Sequence, residues 1–277
     1  IITNYGTVTG EAIVNGGELG SSGALQDGFT VNGGLLTLFG AGTIAGAGTV
    51  NAGGAFLVNG GTFNDGVDNE GGIIEIAGNS AGVIRNNDGS ARIDPTVTFT
   101  CDVINGADGT FDLSIIGVGT GTINGTLANN GGDVNLNGTI TGGTTNTGAG
   151  AQMTIASGDV GNFGSAPGMT NTGGATLTVI GTASGTITNA ATGNVELAGG
   201  TLAAGSVLNN AGDTLVTGAA VSNGTVNNSG TMTVGDGGAA DSLTVNGALT
   251  NETGGMLVVT DSGTVSATSL TNDTGGT

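Results

Sequence analysis

A degenerate repeat of about 20 residues, running through almost the whole chain, restricts this sequence more than any other feature. One unit reads aliphatic, polar, Asn, one or two residues, Gly, an alternating stretch and a further glycine. Clear copies are Val67-Asp68-Asn69-Glu70-Gly71-Gly72-Ile73-Ile74-Glu75-Ile76-Ala77-Gly78 and Met169-Thr170-Asn171-Thr172-Gly173-Gly174-Ala175-Thr176-Leu177-Thr178-Val179. Others are Val226-Asn227-Asn228-Ser229-Gly230-Thr231-Met232-Thr233-Val234-Gly235 and Leu249-Thr250-Asn251-Glu252-Thr253-Gly254-Gly255-Met256-Leu257-Val258-Val259. The asparagines that anchor the units are Asn51, Asn69, Asn86, Asn105, Asn129, Asn146, Asn171, Asn189, Asn209, Asn227, Asn251 and Asn272, at intervals of 17 to 25 residues. Asn4, Asn15 and Asn32 continue a looser version toward the first residue.

Fixed self-similarity at this period is the signature of a stacked repeat architecture. Within a unit, side chains alternate: Leu177 and Val179 face one way and Thr176 and Thr178 the other, as Val195 and Leu197 oppose Glu196. A strand of three to five residues cannot stand alone, but stacked on its neighbours it gains main-chain hydrogen bonds above and below. A second short strand per unit is expected at Gly185-Thr186-Ile187-Thr188-Asn189 and Gly121-Thr122-Ile123-Asn124-Gly125. About 14 rungs at about 4.8 Å each would stack to ~65 Å. Glycine suits the corners because positive φ costs it little. Asparagine is the next best corner residue, and its amide can hydrogen-bond along the stack. The recurring asparagines are therefore expected to form a structural ladder.

The fold class expected is all-β, a single-chain parallel β-helix (β-solenoid) with about 20 residues per rung, occupying 1–277 as one domain. Composition agrees. Glycine takes 61 of 277 positions and aromatic residues 3%, so any core is narrow and filled by Ala, Val, Ile and Leu. Regular aliphatic clusters argue against disorder, and the scarcity of proline (Pro95 and Pro167) suits continuous ladders. Glycine without a strict three-residue period excludes collagen. Frequent Gly, Thr and Asn oppose helix.

Charge excludes several partners. Against 21 acidic residues stand only Arg85 and Arg92, with no histidine, for a net charge of −19. Such a surface repels phosphate backbones, so no nucleic-acid partner is expected. No apolar run reaches the 18 or so residues a membrane helix needs. The opening Ile1-Ile2-Thr3-Asn4 and closing Gly275-Gly276-Thr277 read as the middle of a repeat, so the chain is expected to be a processed piece of a longer exported protein. Cys101 has no partner for an internal disulfide and is read as a small buried filler after Val97-Thr98-Phe99-Thr100.

The Asn-x-Gly-Gly and Gly-Thr-aliphatic patterns, in register across nearly all 277 residues, resemble the passenger regions of bacterial autotransporters. That resemblance implies a right-handed parallel β-helix exported to the bacterial cell surface, acting in adhesion, self-association or biofilm. It further implies cell-surface, glycan or like-protein partners, including homo-oligomers. The sequence departs from the family in showing no translocator barrel and no cap. A self-assembling surface-layer or filament subunit is the alternative, and a polysaccharide-active β-helix enzyme a distant one.

No enzyme is expected. Without histidine there is no Ser-His-Asp triad, Cys-His pair or usual zinc site. Paired carboxylates for glycoside chemistry would be Asp65 with Asp68 or Glu70, and Asp236 with Asp241. No cofactor is expected beyond weak, diffuse Ca²⁺ screening: Gly235-Asp236-Gly237-Gly238-Ala239-Ala240-Asp241 breaks the spacing of calcium-binding nonapeptides and does not recur. The Thr-x-Thr pairs (Thr7, Thr9; Thr139, Thr141; Thr176, Thr178; Thr186, Thr188; Thr231, Thr233) superficially resemble ice-binding solenoids, but skip rungs and are interrupted by Glu75 and Glu196. Curli-type fibre repeats need regular glutamines, whereas this chain has Gln26 and Gln152. Any ligand site is expected on three longer insertions, Gly106–Asn124, Gly148–Met169 and Asp236–Asn246.

Overall fold

The computed structural model describes residues 1–80, 82–94, 98–113, 121–164, 166–238, 240–260 and 262–277, with the side chains of 79 and 80 excepted. Among these residues the regular structure is β-strand, without helix. Each strand pairs in parallel with the strand one repeat further along, as Ile2 with Leu19, Leu177 with Val195 and Asn146 with Asn171. This is a parallel β-solenoid. The chain divides into two compact units, Ile1–Ala128 with Gly132–Val134, and Asn129–Gly131 with Asn135–Thr277.

Rungs of the first unit begin as three short strands. Glu18–Ser21, Ala24–Leu25 and Phe29–Val31 make one rung, and Gly34–Phe39, Thr43–Ile44 and Gly48–Asn51 the next. Later rungs fuse neighbouring strands into longer ones, Gly54–Phe63 and Gly66–Ser80. In-register stacking turns the alternation of each strand into columns. Leu36, Phe56, Ile74, Ala91 and Phe111 form one interior column, and Leu38, Val58, Ile76, Ile93 and Leu113 the column beside it. Full burial of each of these side chains, the single methyl of Ala91 apart, stabilises by roughly 1.5–3 kcal/mol. Phe29, Phe56, Phe63 and Phe99 meet within this interior, with successive ring centroids 4.4, 5.9 and 6.3 Å apart. Gly48 stacks directly on Phe29, and a Cβ there would fall inside the space its ring occupies.

The second unit has the same plan. Met169–Thr172, Thr176–Val179 and Thr182–Ser184 make one rung, and Thr186–Asn189, Asn194–Ala198 and Thr201–Leu202 the next. Leu177, Val179, Val195 and Leu197 are buried and Thr176, Thr178 and Glu196 point outward, as their alternation predicts. Sequence reasoning found two strands per rung; the third, often only two or three residues long, is supplied by segments such as Thr201–Leu202. One interior column runs Ile155, Val179, Leu197, Val216, Val234. Its neighbour runs Met153, Leu177, Val195, Thr214, Met232, so that one hydroxyl, Thr214 Oγ1, is buried without a hydrogen-bond partner.

All three expected insertions contain strands of the stack. Gly106 to Leu113 lies within the strand Val103–Leu113, with 114–120 outside the described residues. Gly148–Met169 contains the strands Gln152–Ile155 and Val160–Asn162, and most of Asp236–Asn246 belongs to the strand Asp241–Asn251. Among the described residues, part of the variable spacing between asparagines is taken up by strands. Pro95 and Val97 lie outside the described residues; Cys101 is buried and forms no disulfide.

Candidate functional site

Two features stand out from the regular stack: a row of asparagine amides inside it, and a charged depression on its outer face. In the first unit the inner row is Asn69, Asn86 and Asn105. In the second it is Asn129, Asn146, Asn171, Asn189, Asn210, Asn228, Asn251 and Asn272. All but Asn272 are buried. Up to the last asparagine of each row, Nδ2 donates to Oδ1 of the asparagine one rung further on, at 2.7–2.9 Å. The second N–H of the amide reaches a backbone carbonyl, as Asn86 to Thr110 O (2.9 Å), Asn171 to Asn194 O (2.7 Å) and Asn210 to Thr231 O (3.0 Å). This second bond fixes the amide's direction, because a flipped group would set oxygen against oxygen. All amide dipoles therefore point the same way along the row and polarise one another.

The row of the first unit begins with its own termination chemistry. Asn69 has Val50 as its partner on the preceding rung, and its Oδ1 accepts instead from Gly72 N at 3.0 Å. Before Asn69 the same column is Val14, Val31 and Val50, so apolar side chains and amides occupy one position on successive rungs.

The row also explains the glycine pairs of the repeat. In Asn251-Glu252-Thr253-Gly254-Gly255, Gly254 turns the corner at φ +85°, a left-handed conformation that favours glycine. Gly255 then passes beneath the amide, where a Cβ would stand 2.7 Å from Asn251 Oδ1 and closer still to Asn228 O.

Three asparagines expected in the ladder lie elsewhere. Asn209 and Asn227 pair with each other on the outward face, Nδ2 of Asn227 donating to Asn209 Oδ1 at 2.9 Å, while the adjacent Asn210 and Asn228 occupy the interior. Because Leu208 and Val226 are buried, the residue sharing their face is two positions on, not one. Asn51 likewise follows buried Val50, stands in register with Glu70, and belongs to an outer row of Asn15, Asn32 and Asn51. Amides of this outer row donate in the opposite direction, toward the preceding rung. An asparagine two positions beyond a buried aliphatic, as Asn210 beyond Leu208 and Asn228 beyond Val226, shares its inward face, whereas one directly after it faces outward.

Both cations sit on one strand, Val83–Ile93. Arg85 reaches Asp68 at 3.1 Å and Arg92 reaches Glu75 at 3.5 Å, each on the preceding rung. Both pairs are nearly half exposed, so each contributes at most about 1 kcal/mol. Beside Arg92 lies a depression of about 290 Å³, bordered by Leu57, Asn59, Glu75, Ala77, Arg92 and Asp94.

Two of the carboxylates considered for catalysis, Asp68 and Asp241, have other occupations. Asp68 is engaged by Arg85. Asp241 is buried, its carboxylate accepting from Gly218 N at 2.6 Å and Asp236 N at 3.1 Å, which makes it a clamp on the turn. Burial raises the Asp159 carboxyl above its ordinary value. Among the described residues no group of three or more His, Cys, Asp or Glu side chains is placed to hold a metal ion, and no helix is long and apolar enough to cross a membrane.

No family model and no curated protein matches this chain. Among solved structures it is similar to the TibC-catalysed hyper-glycosylated fragment 55–350 of TibA, at 17% identity and a TM-score of 0.42, over 99% of this chain and 98% of that one.

Proposed function

We propose that the chain is an extracellular structural and adhesive β-helical element, displayed at a bacterial cell surface, whose product is its own outer face. The observation that carries this reading is the polarised amide row. The interior is given over to apolar columns and satisfied amides, which leaves the outward rows to meet partners. Each rung takes its hydrogen bonds from the rungs on either side, so local opening costs two sets of contacts, the property a protease-exposed scaffold needs. A net charge of −19 keeps copies apart and the chain soluble.

The test is accessibility in the organism of origin. An antibody against the folded chain should label intact cells, and brief proteinase K treatment of those cells should remove the label. Detection only after lysis would overturn the proposal.

A further inference from the structure

Asn-Gly occurs eight times in the chain. In such a pair no side chain shields the glycine nitrogen, which can close a five-membered ring onto the asparagine Cγ. The stack restrains seven of the eight. Asn105 is buried in the inner row, its Nδ2 donating to Gly109 O at 2.9 Å and Asp133 O at 3.0 Å. Asn137 is buried too, and its Oδ1 accepts from Val160 N at 3.1 Å. Asn223 and Asn246 bond each other across rungs at 2.7 Å, as Asn15 does with Asn32 and Asn32 with Asn51. Asn124 is held through its neighbour: Gly125 lies against Cys101, where an added Cβ would stand 2.1 Å from the carbonyl oxygen.

Asn59-Gly60 differs on every count. Both residues are exposed, and among the described residues the Asn59 side chain takes no hydrogen bond. Gly60 turns at φ +91°, and an added Cβ there would meet nothing nearer than 3.6 Å. The register slips at this point on both neighbouring rungs. Asn59 and Gly60 both face Phe39, and from Asn59 to Thr62 the strand carries one residue more than from Ala77 to Asn79. Such a bulge disrupts the ladder locally and leaves the extra residue unpaired. The main chain can therefore swing the Gly60 nitrogen toward Asn59 Cγ, the near-attack geometry that an in-register strand withholds.

From this geometry we infer that Asn59 is a site of spontaneous covalent modification, at which the folded protein deamidates. The Gly60 nitrogen gives up its proton to hydroxide and attacks Asn59 Cγ. The new C–N bond closes a succinimide, and the side-chain nitrogen leaves as ammonia, taking the proton it needs from water. A second water then opens either ring carbonyl, so the net change is asparagine plus water to aspartate or isoaspartate plus ammonia. Each event adds one negative charge at the rim of the depression beside Arg92. Isoaspartate also lengthens the main chain by one methylene, at a bulge where the register is already broken. Peptide mapping by mass spectrometry of the purified folded chain, aged at pH 7 and pH 9, tests the assignment. Asn59 is expected to lose ammonia first of the eight, faster at pH 9, and at least about tenfold faster than Asn105, whose ring closure waits on local opening. In urea, where bulge and row are both gone, Asn59 and Asn105 should react at comparable rates. Asn59→Ser should abolish the first acidic species seen on isoelectric focusing. The inference is overturned if another Asn-Gly pair reacts before Asn59 in the folded chain, if Asn105 keeps pace with it there, or if the lead of Asn59 persists in urea.

Discussion

Replacing one buried ladder asparagine by aspartate tests the amide row most directly. Asn171 accepts from Asn146 Nδ2 at 2.9 Å, and donates to Asn189 Oδ1 at 2.9 Å and Asn194 O at 2.7 Å. Asn171→Asp keeps the volume and the acceptor. It replaces the two donating N–H bonds with a carboxylate oxygen facing two other oxygens. Leaving two buried acceptors unpaired costs about 1–3 kcal/mol each, and a charged group costs more, so a loss of about 3–5 kcal/mol is expected at neutral pH. A protonated aspartic acid can donate one of those bonds again. Desolvation and the facing oxygens both disfavour the charged form, so the new carboxyl's folded pKa is raised. Its penalty is therefore full at high pH and shrinks as pH falls through that folded value. Urea denaturation of parent and variant across pH 4–8 reads the difference. Asn209→Asp, on the half-exposed outer row, is the control and should cost under about 1 kcal/mol. Equal losses at Asn171 and Asn209, or a penalty independent of pH, would refute the assignment of inner and outer rows.

Three further outcomes follow from single contacts. Gly48→Ala drives a methyl into Phe29 and should destabilise by about 1–3 kcal/mol in chemical denaturation, with Phe29→Leu in the same chain restoring much of the loss. Thr214→Val removes a buried hydroxyl without a partner from between Val195 and Met232, and should raise stability by about 1 kcal/mol; a decrease would show that the hydroxyl is satisfied. For Asp159 the folded carboxyl pKa is raised, so the folded state binds the proton more tightly and this group's contribution to stability grows as pH falls. Asp159→Asn should therefore be more stable than the parent at pH 7, with the gap closing toward pH 4, as measured by paired thermal melts.

Much of the architecture was legible because one physical constraint repeats. A strand whose inner face is buried must alternate, and Thr176-Leu177-Thr178-Val179 or Asn194-Val195-Glu196-Leu197 shows this without coordinates. The spacing aliphatic-x-Asn was equally available. Val67 to Asn69, Ile84 to Asn86, Met169 to Asn171, Ile187 to Asn189 and Leu249 to Asn251 all obey it, and it selects Asn228 over Asn227; at Val207-Leu208-Asn209-Asn210 both asparagines satisfy it, and the burial of Leu208 decides for Asn210. Reading each unit by its first asparagine, instead of by the residue two beyond the buried aliphatic, displaced those assignments by one position. A one-residue shift on a strand moves a side chain to the opposite face.

By itself, then, the sequence determined an all-β stack with a repeat near 20 residues, an aliphatic interior, polar outward rows and an acidic surface. Tertiary structure alone decided the third strand of each rung, because Thr201–Leu202 or Ala24–Leu25 is too short to show a period of its own. It also decided that Phe29, Phe56, Phe63 and Phe99 meet in one cluster, and that side chains from three rungs border one depression. The reason is common to all three. Their stabilising contacts run between rungs, across separations that local alternation does not encode, and they exist only once the register of each rung on the next has been fixed.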